Sequence, residues 1–93
     1  MTFLSKVEDV FEISGRGCAL TPGLDETTPP KIKLKQFDAI ELRKPDGSII
    51  QTRIEAVEIL DKLNRQWCVP IILPPSFSKA DVPIGTEIWL VNQ

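Results

Sequence analysis

Residues 40–54 read Ile40-Glu41-Leu42-Arg43-Lys44-Pro45-Asp46-Gly47-Ser48-Ile49-Ile50-Gln51-Thr52-Arg53-Ile54, two alternating runs around one turn signal. Ile40 and Leu42 alternate with Glu41 and Arg43, the period-two pattern of a strand with one buried face. In Pro45-Asp46-Gly47 the proline ring presets φ, the Asp46 carboxylate can cap the turn, and Gly47 accepts positive φ. Beyond the turn Ile50, Thr52, Ile54 and Ala56 share one face, while Gln51, Arg53 and Glu55 share the other. These residues predict a β-hairpin. Near Val57 and Ile59 the parity changes, which predicts a bend in the second arm.

The same alternation recurs on both sides of the hairpin. Val7, Phe11 and Ile13 share a parity opposite to Glu8 and Glu12, so a strand buried on the first set is predicted, ended by Ser14-Gly15-Arg16-Gly17. Cys18 and Leu20 resume on the opposite parity, as when a tight bend re-aims a strand. Residues 21–30, TPGLDETTPP, hold turn formers without apolar periodicity and predict a loop. Lys31-Ile32-Lys33-Leu34-Lys35 alternates strictly; its lysine face reads as a basic strip for phosphate or as an edge strand protected from aggregation. Asp61 to Gln66 predicts a turn, and Trp67 to Leu73 a strand buried on both faces, with Pro70 marking an edge or bulge. Ser78-Lys79-Ala80-Asp81 has the spacing of a helical cap, and Pro83-Ile84-Gly85 turns the chain into a last strand, Thr86 to Val91. Isoleucine, valine and threonine supply 23 of the 93 residues, a bias toward pleated, half-buried surfaces. The predicted class is all-β, six or seven short strands forming one small antiparallel barrel or sandwich.

Composition narrows the chemistry. A chain of 93 residues has room for a single domain, residues 1–93, whose core is too thin for a deep cofactor cavity. A formal charge of -2 and a pI near 5.0 oppose a dedicated nucleic-acid binder. The chain has no histidine, which removes Ser/His/Asp and Cys/His nucleophile systems and the common zinc sites. It also lacks a GxxxxGK[ST] or GxGxxG phosphate loop, so no nucleotide, cofactor, metal or catalytic residue is expected. Cys18 and Cys68 are too few for a disulfide framework and read as reduced, partly buried thiols. There is no run of 18 apolar residues, and Met1 to Lys6 lacks a signal-peptide layout, so no membrane segment and a cytoplasmic location are expected.

Read in order, Val7-Glu8-Asp9-Val10-Phe11-Glu12-Ile13-Ser14-Gly15-Arg16-Gly17 resembles the VEDVFxIxGRG opening of the second domain of elongation factor Tu and related translational GTPases. Three more stretches follow in the family's order. Phe37 to Leu42 resembles its "GxxVEI" strand, Ile54 to Ile59 its "VxGVEM" strand, and Ala80 to Gly85 its "EDIxRG" turn. The resemblance spans nearly the whole chain and implies a closed antiparallel β-barrel of about six strands. It implies that Glu8, Asp9 and Phe11 line an aminoacyl pocket, that Arg16 approaches RNA backbone, and that Glu58 meets a terminal ribose. Where the family has arginine, a polar amide and glycine, this chain has Asp61, Cys68 and Pro70.

Each of these groups also has a plain structural reading. Glu8, Asp9 and Glu12 read first as a solvated acidic face, because neighbours on a strand point opposite ways. Arg16 fits a phosphate or carboxylate, or a surface ion pair. Trp67 and Trp89 read as packing residues, and Phe77, in a loop between prolines and a polar turn, as an exposed aromatic anchor. The leading expectation is a non-catalytic binding module linked to translation, with a protein partner ahead of RNA. The alternative is an accessory or regulatory subunit docking on a larger enzyme through Lys31, Lys33 and Lys35 or through Phe77. A homodimer through an exposed edge is consistent with either.

Overall fold

The 45–47 turn forms as its residue types dictate. Gly47 N–H donates to the Lys44 carbonyl at 2.9 Å, Gly47 takes φ +93°, and Asp46 Oδ1 accepts from both the backbone N–H and the hydroxyl of Ser48. The turn joins β4 (Ala39–Arg43) to β5 (Ile49–Arg53), with Ile40 opposite Thr52 and Leu42 opposite Ile50. The computed structural model describes residues 1–13, 17–25, 34–57 and 68–91. Around the hairpin lie β1 (Thr2–Lys6), β2 (Asp9–Ile13), β3 (Gly17–Asp25), β6 (Ala56–Val57), β7 (Cys68–Ile72) and β8 (Glu87–Leu90), with a 3-10 turn at Lys79–Asp81. The chain is all-β apart from that turn among the described residues.

Every strand pairing is antiparallel. One four-stranded sheet runs β1-β8-β4-β5 and the other β2-β3-β7-β6. The outer strands of the two sheets are continuous in the chain. Val7 N–H donates to Thr86 O at 2.7 Å on the first sheet's side, and Glu8 N–H donates to Thr21 O at 2.8 Å on the second's. The second arm of the hairpin changes partner likewise: Ile54 N–H donates to Asp38 O, and Glu55 N–H to Ile72 O. The bend therefore falls at Ile54–Glu55, just before the parity change near Val57 that the sequence predicts.

Both sheets contribute to one core: Leu4, Ile40, Leu42, Ile88 and Leu90 from the first meet Val10, Cys18, Leu20 and Ile71 from the second, with Val7 and Ile54 at the crossings. Burial of such aliphatic side chains is the main stabilising term, about 1.5–3 kcal/mol each at most. The expected face of β2 is corrected here. Val10 is buried and Phe11 exposed, because the chain exchanges partners between Val7 and Glu8 and the parity that places Val7 inside is not carried across. β1 lies outside the predicted strands; a bulge between Phe3 and Ser5 buries both Leu4 and Ser5, which erases its alternation. Pro70 sits where β3 and β7 slip register between Leu20 and Gly23, the stretch that holds Pro22, so two residues without an N–H share one ladder irregularity. Leu34 and Lys35 are not in a strand; Leu34 packs on the core and Lys35 begins a turn. Lys31 and Lys33 lie outside the described residues, as does the predicted 61–66 turn.

In that turn Phe37 takes φ +72°, which a non-glycine residue adopts at a cost of about 1–2 kcal/mol. Its ring is 59% exposed, and its described aromatic contact is the Arg53 guanidinium 5.7 Å from the centroid, worth about 0.5–1 kcal/mol. Phe37→Gly is therefore expected to leave stability nearly unchanged, the relieved strain being offset by the lost Arg53 contact and by glycine's larger unfolded-state entropy. Urea unfolding checks this: a clear loss of stability would show that the phenylalanine supports the fold.

Candidate binding surface

The second sheet turns one apolar row outward. Phe11, Ala19, Ile72 and Ala56 lie in one register line across β2, β3, β7 and β6, on the parity opposite to Val10, Leu20 and Ile71. Ala19 and Ile72 are buried without joining the core cluster, whereas Phe11 is 53% exposed at the end of the row. Asp9 shares the outward face of β2 with Phe11, and its Oδ1 folds back to accept the Val10 N–H at 2.9 Å. Glu8 is exposed beside them at the point of crossing. Of the five residues that the family resemblance singles out, Glu8, Asp9 and Phe11 are described, as chain neighbours at the entry to β2. Arg16 and Glu58 lie outside the described residues.

Of the predicted docking residues, Lys35 is exposed in the turn before β4. Phe77 is half-buried, packs against the core, and its carbonyl receives the Cys18 thiol at 3.4 Å. It occupies a structural position, and the more exposed aromatic rings are those of Phe3, Phe11 and Phe37. The 3-10 turn after Phe77 is closed as its spacing predicts, with Asp81 Oδ2 accepting the Ser78 N–H at 2.8 Å, and it is tied to β2 through the Lys79 N–H and Glu12 Oε2 at 3.1 Å.

The outer face of the first sheet carries a cluster drawn from four strands. Phe3, Trp89, Glu41 and Gln51 form one register line. The Arg43 guanidinium lies 4.3 Å from the Trp89 ring centroid and donates from Nε to Glu41 at 2.6 Å; Gln51 donates to the same carboxylate at 3.3 Å. Trp89 meets Phe3 edge-on at 5.3 Å and donates from its indole N–H to Glu87. The signal was present in the alternation Ile88-Trp89-Leu90, which turns Trp89 outward whenever its neighbours turn in. Covered by these groups, Glu41 is buried on an outward face, with Arg43 the main cause of a carboxyl pKa held below the usual range.

The Ser48 hydroxyl lowers Asp46 in the same way, and the Ser78 N–H lowers Asp81. A carboxylate whose folded pKa is depressed stabilises the fold above its unfolded pKa, and that contribution is lost as pH falls through the folded value. Thermal midpoints are expected to be level from about pH 6 to 8 and to fall below about pH 4. A midpoint unchanged at pH 3 would contradict these three contacts.

The Cys18 thiol is pushed up, first by burial and then by the Glu12 and Asp81 carboxylates, which disfavours a reactive thiolate. Cys18 lies level with Leu73 and Cys68 opposite Asp25, at opposite ends of the β3–β7 ladder. Five residues along β7 span about 16 Å, far beyond the roughly 7 Å Cα limit of a disulfide. Among the described residues no group of three or more Cys, Asp or Glu could hold a metal ion, and no helix is long and apolar enough to cross a membrane. No family model, curated protein or solved structure matches the chain.

Proposed function

We propose that the chain is a non-catalytic binding module, built as a closed six-stranded β-barrel of the kind that forms the second domain of elongation factor Tu and related translational GTPases, and that it docks on a protein partner linked to translation. Closure is supported by the two crossings: β1 runs into β2 and β5 into β6, so both edges of one sheet continue into both edges of the other. Counted that way, the hydrogen-bonded circuit is β1β2, β3, β7, β6β5, β4, β8. A closed circuit leaves no free sheet edge, so recognition falls to outward side chains.

The observation that carries the binding reading is the exposed Phe11 ring at the end of an apolar row, flanked by Asp9 and Glu8. An exposed aromatic ring that fills a pocket of a partner can act as a hot spot, worth about 2 kcal/mol or more on truncation. The acidic flank and the formal charge of -2 favour a protein over RNA. Capture of partners from native lysate on the tagged full chain tests this. Phe11→Ala is expected to weaken retention of the main partner at least about tenfold with the thermal midpoint unchanged. Equal retention removes the Phe11 surface from the reading.

A further inference from the structure

We infer that Phe37 is a recognition knob, mounted on the Lys35–Asp38 turn for insertion into an apolar, acid-rimmed pocket of a protein partner. This rests on the binding-module reading and adds a contact point apart from the Phe11 row. Phe37 holds a left-handed backbone conformation that glycine would adopt without strain, and it is mostly in solvent, so the Arg53 cation–π contact is the one return for the phenylalanine among the described residues. Strain kept for so small an internal return points to a functional position.

The turn is also fixed before any partner arrives. Phe37 N–H donates to Ile54 O at 2.7 Å, Lys35 N–H to Asp38 Oδ2 at 2.9 Å, and Asp38 N–H to Lys35 O at 3.2 Å. A preset ring loses little freedom on binding. Its rim is cationic. The Arg53 side chain is 57% exposed and donates no hydrogen bond among the described residues, its ion-pair partner Glu55 standing 3.8 Å away. Lys35 is exposed in the same turn, while the Asp38 carboxylate is turned back onto the Lys35 N–H. A convex apolar ring fits a concave apolar pocket, and a guanidinium and an ammonium that donate no hydrogen bond among the described residues fit carboxylates on its rim. A nucleic-acid strand would need a wider basic tract than a chain of charge -2 supplies here.

The test places a photo-crosslinking benzoylphenylalanine at Gln36 in the full chain, irradiates it in ribonuclease-treated native lysate, sequences the joined peptide, and titrates the purified partner. The expected peptide combines apolar residues with Asp or Glu. Phe37→Gly is expected to weaken the complex about tenfold with no drop in thermal midpoint, and Arg53→Gln to weaken it severalfold and flatten its salt dependence. No crosslinked protein, a joined peptide without acidic residues, unchanged affinity of Phe37→Gly, or a crosslink that appears only without ribonuclease overturns the inference. A partner that is lost with Phe11→Ala and unaffected by Phe37→Gly overturns it too, while leaving the binding-module reading in place.

Discussion

Gly17→Ala is expected to lower stability by more than about 3 kcal/mol, a large share of the roughly 5–15 kcal/mol that holds a small domain folded. Gly17 opens β3 opposite Ile13 with φ +106°, where any side chain costs about 1–2 kcal/mol on conformational grounds alone. The steric penalty is larger. An added Cβ would stand 2.4 Å from the Leu73 carbonyl oxygen and 3.1 Å from that of Pro74. Leu73 cannot retreat freely, because its N–H is bonded to Cys18 O at 2.8 Å and its side chain is in the core. Gly47→Ala separates the two effects: Gly47 also has positive φ, but nothing lies within 4 Å of its added Cβ, so only about 1 kcal/mol is expected. Urea unfolding of both variants checks this. If Gly17→Ala proved as mild as Gly47→Ala, the close approach of β3 to the segment after β7 would be wrong.

Leu20→Ala is the second large effect, expected to cost about 2–5 kcal/mol through lost burial and the cavity left behind. Leu20 is fully buried on β3, with Val10 beside it on β2 and Ile71 on β7, so its side chain sits where three strands of the second sheet face the first. Ile49→Ala is the control. Ile49 carries a large side chain on the outward parity of β5 with 56% of its surface exposed, and its removal is expected to change stability by no more than about 0.5 kcal/mol. With equal urea slopes for both variants, a Leu20→Ala cost below about 1 kcal/mol would dissolve the single core shared by the two sheets.

The elements legible in the sequence are those whose cause is local. The β4–β5 hairpin follows from Pro45, Asp46 and Gly47 and from the alternation beside them, and the Ser78–Asp81 cap from a three-residue spacing. What escaped reading depends on partners distant in the chain. A period-two pattern reports one face of one sheet, so it fails where a strand passes between sheets, as at Val7–Glu8, and places Phe11 on the wrong side for that reason. β1 was hidden by its bulge at Leu4. Phe37 gave no signal, since a phenylalanine carries no expectation of positive φ, and Phe77 looked exposed only because loop composition does not reveal what a loop packs against. The Phe11 row is not legible in the sequence, because Ala19, Ile72 and Ala56 join Phe11 only through strand register.

The most direct test is capture on the tagged full chain from native lysate, divided into ribonuclease-treated and untreated halves, with protein and nucleic acid identified in each. A protein-docking module predicts the same protein partners in both halves, retained across a moderate rise in salt. Partners that vanish with ribonuclease, with binding that falls steeply as salt increases, would contradict the protein-docking reading and make the chain an RNA binder.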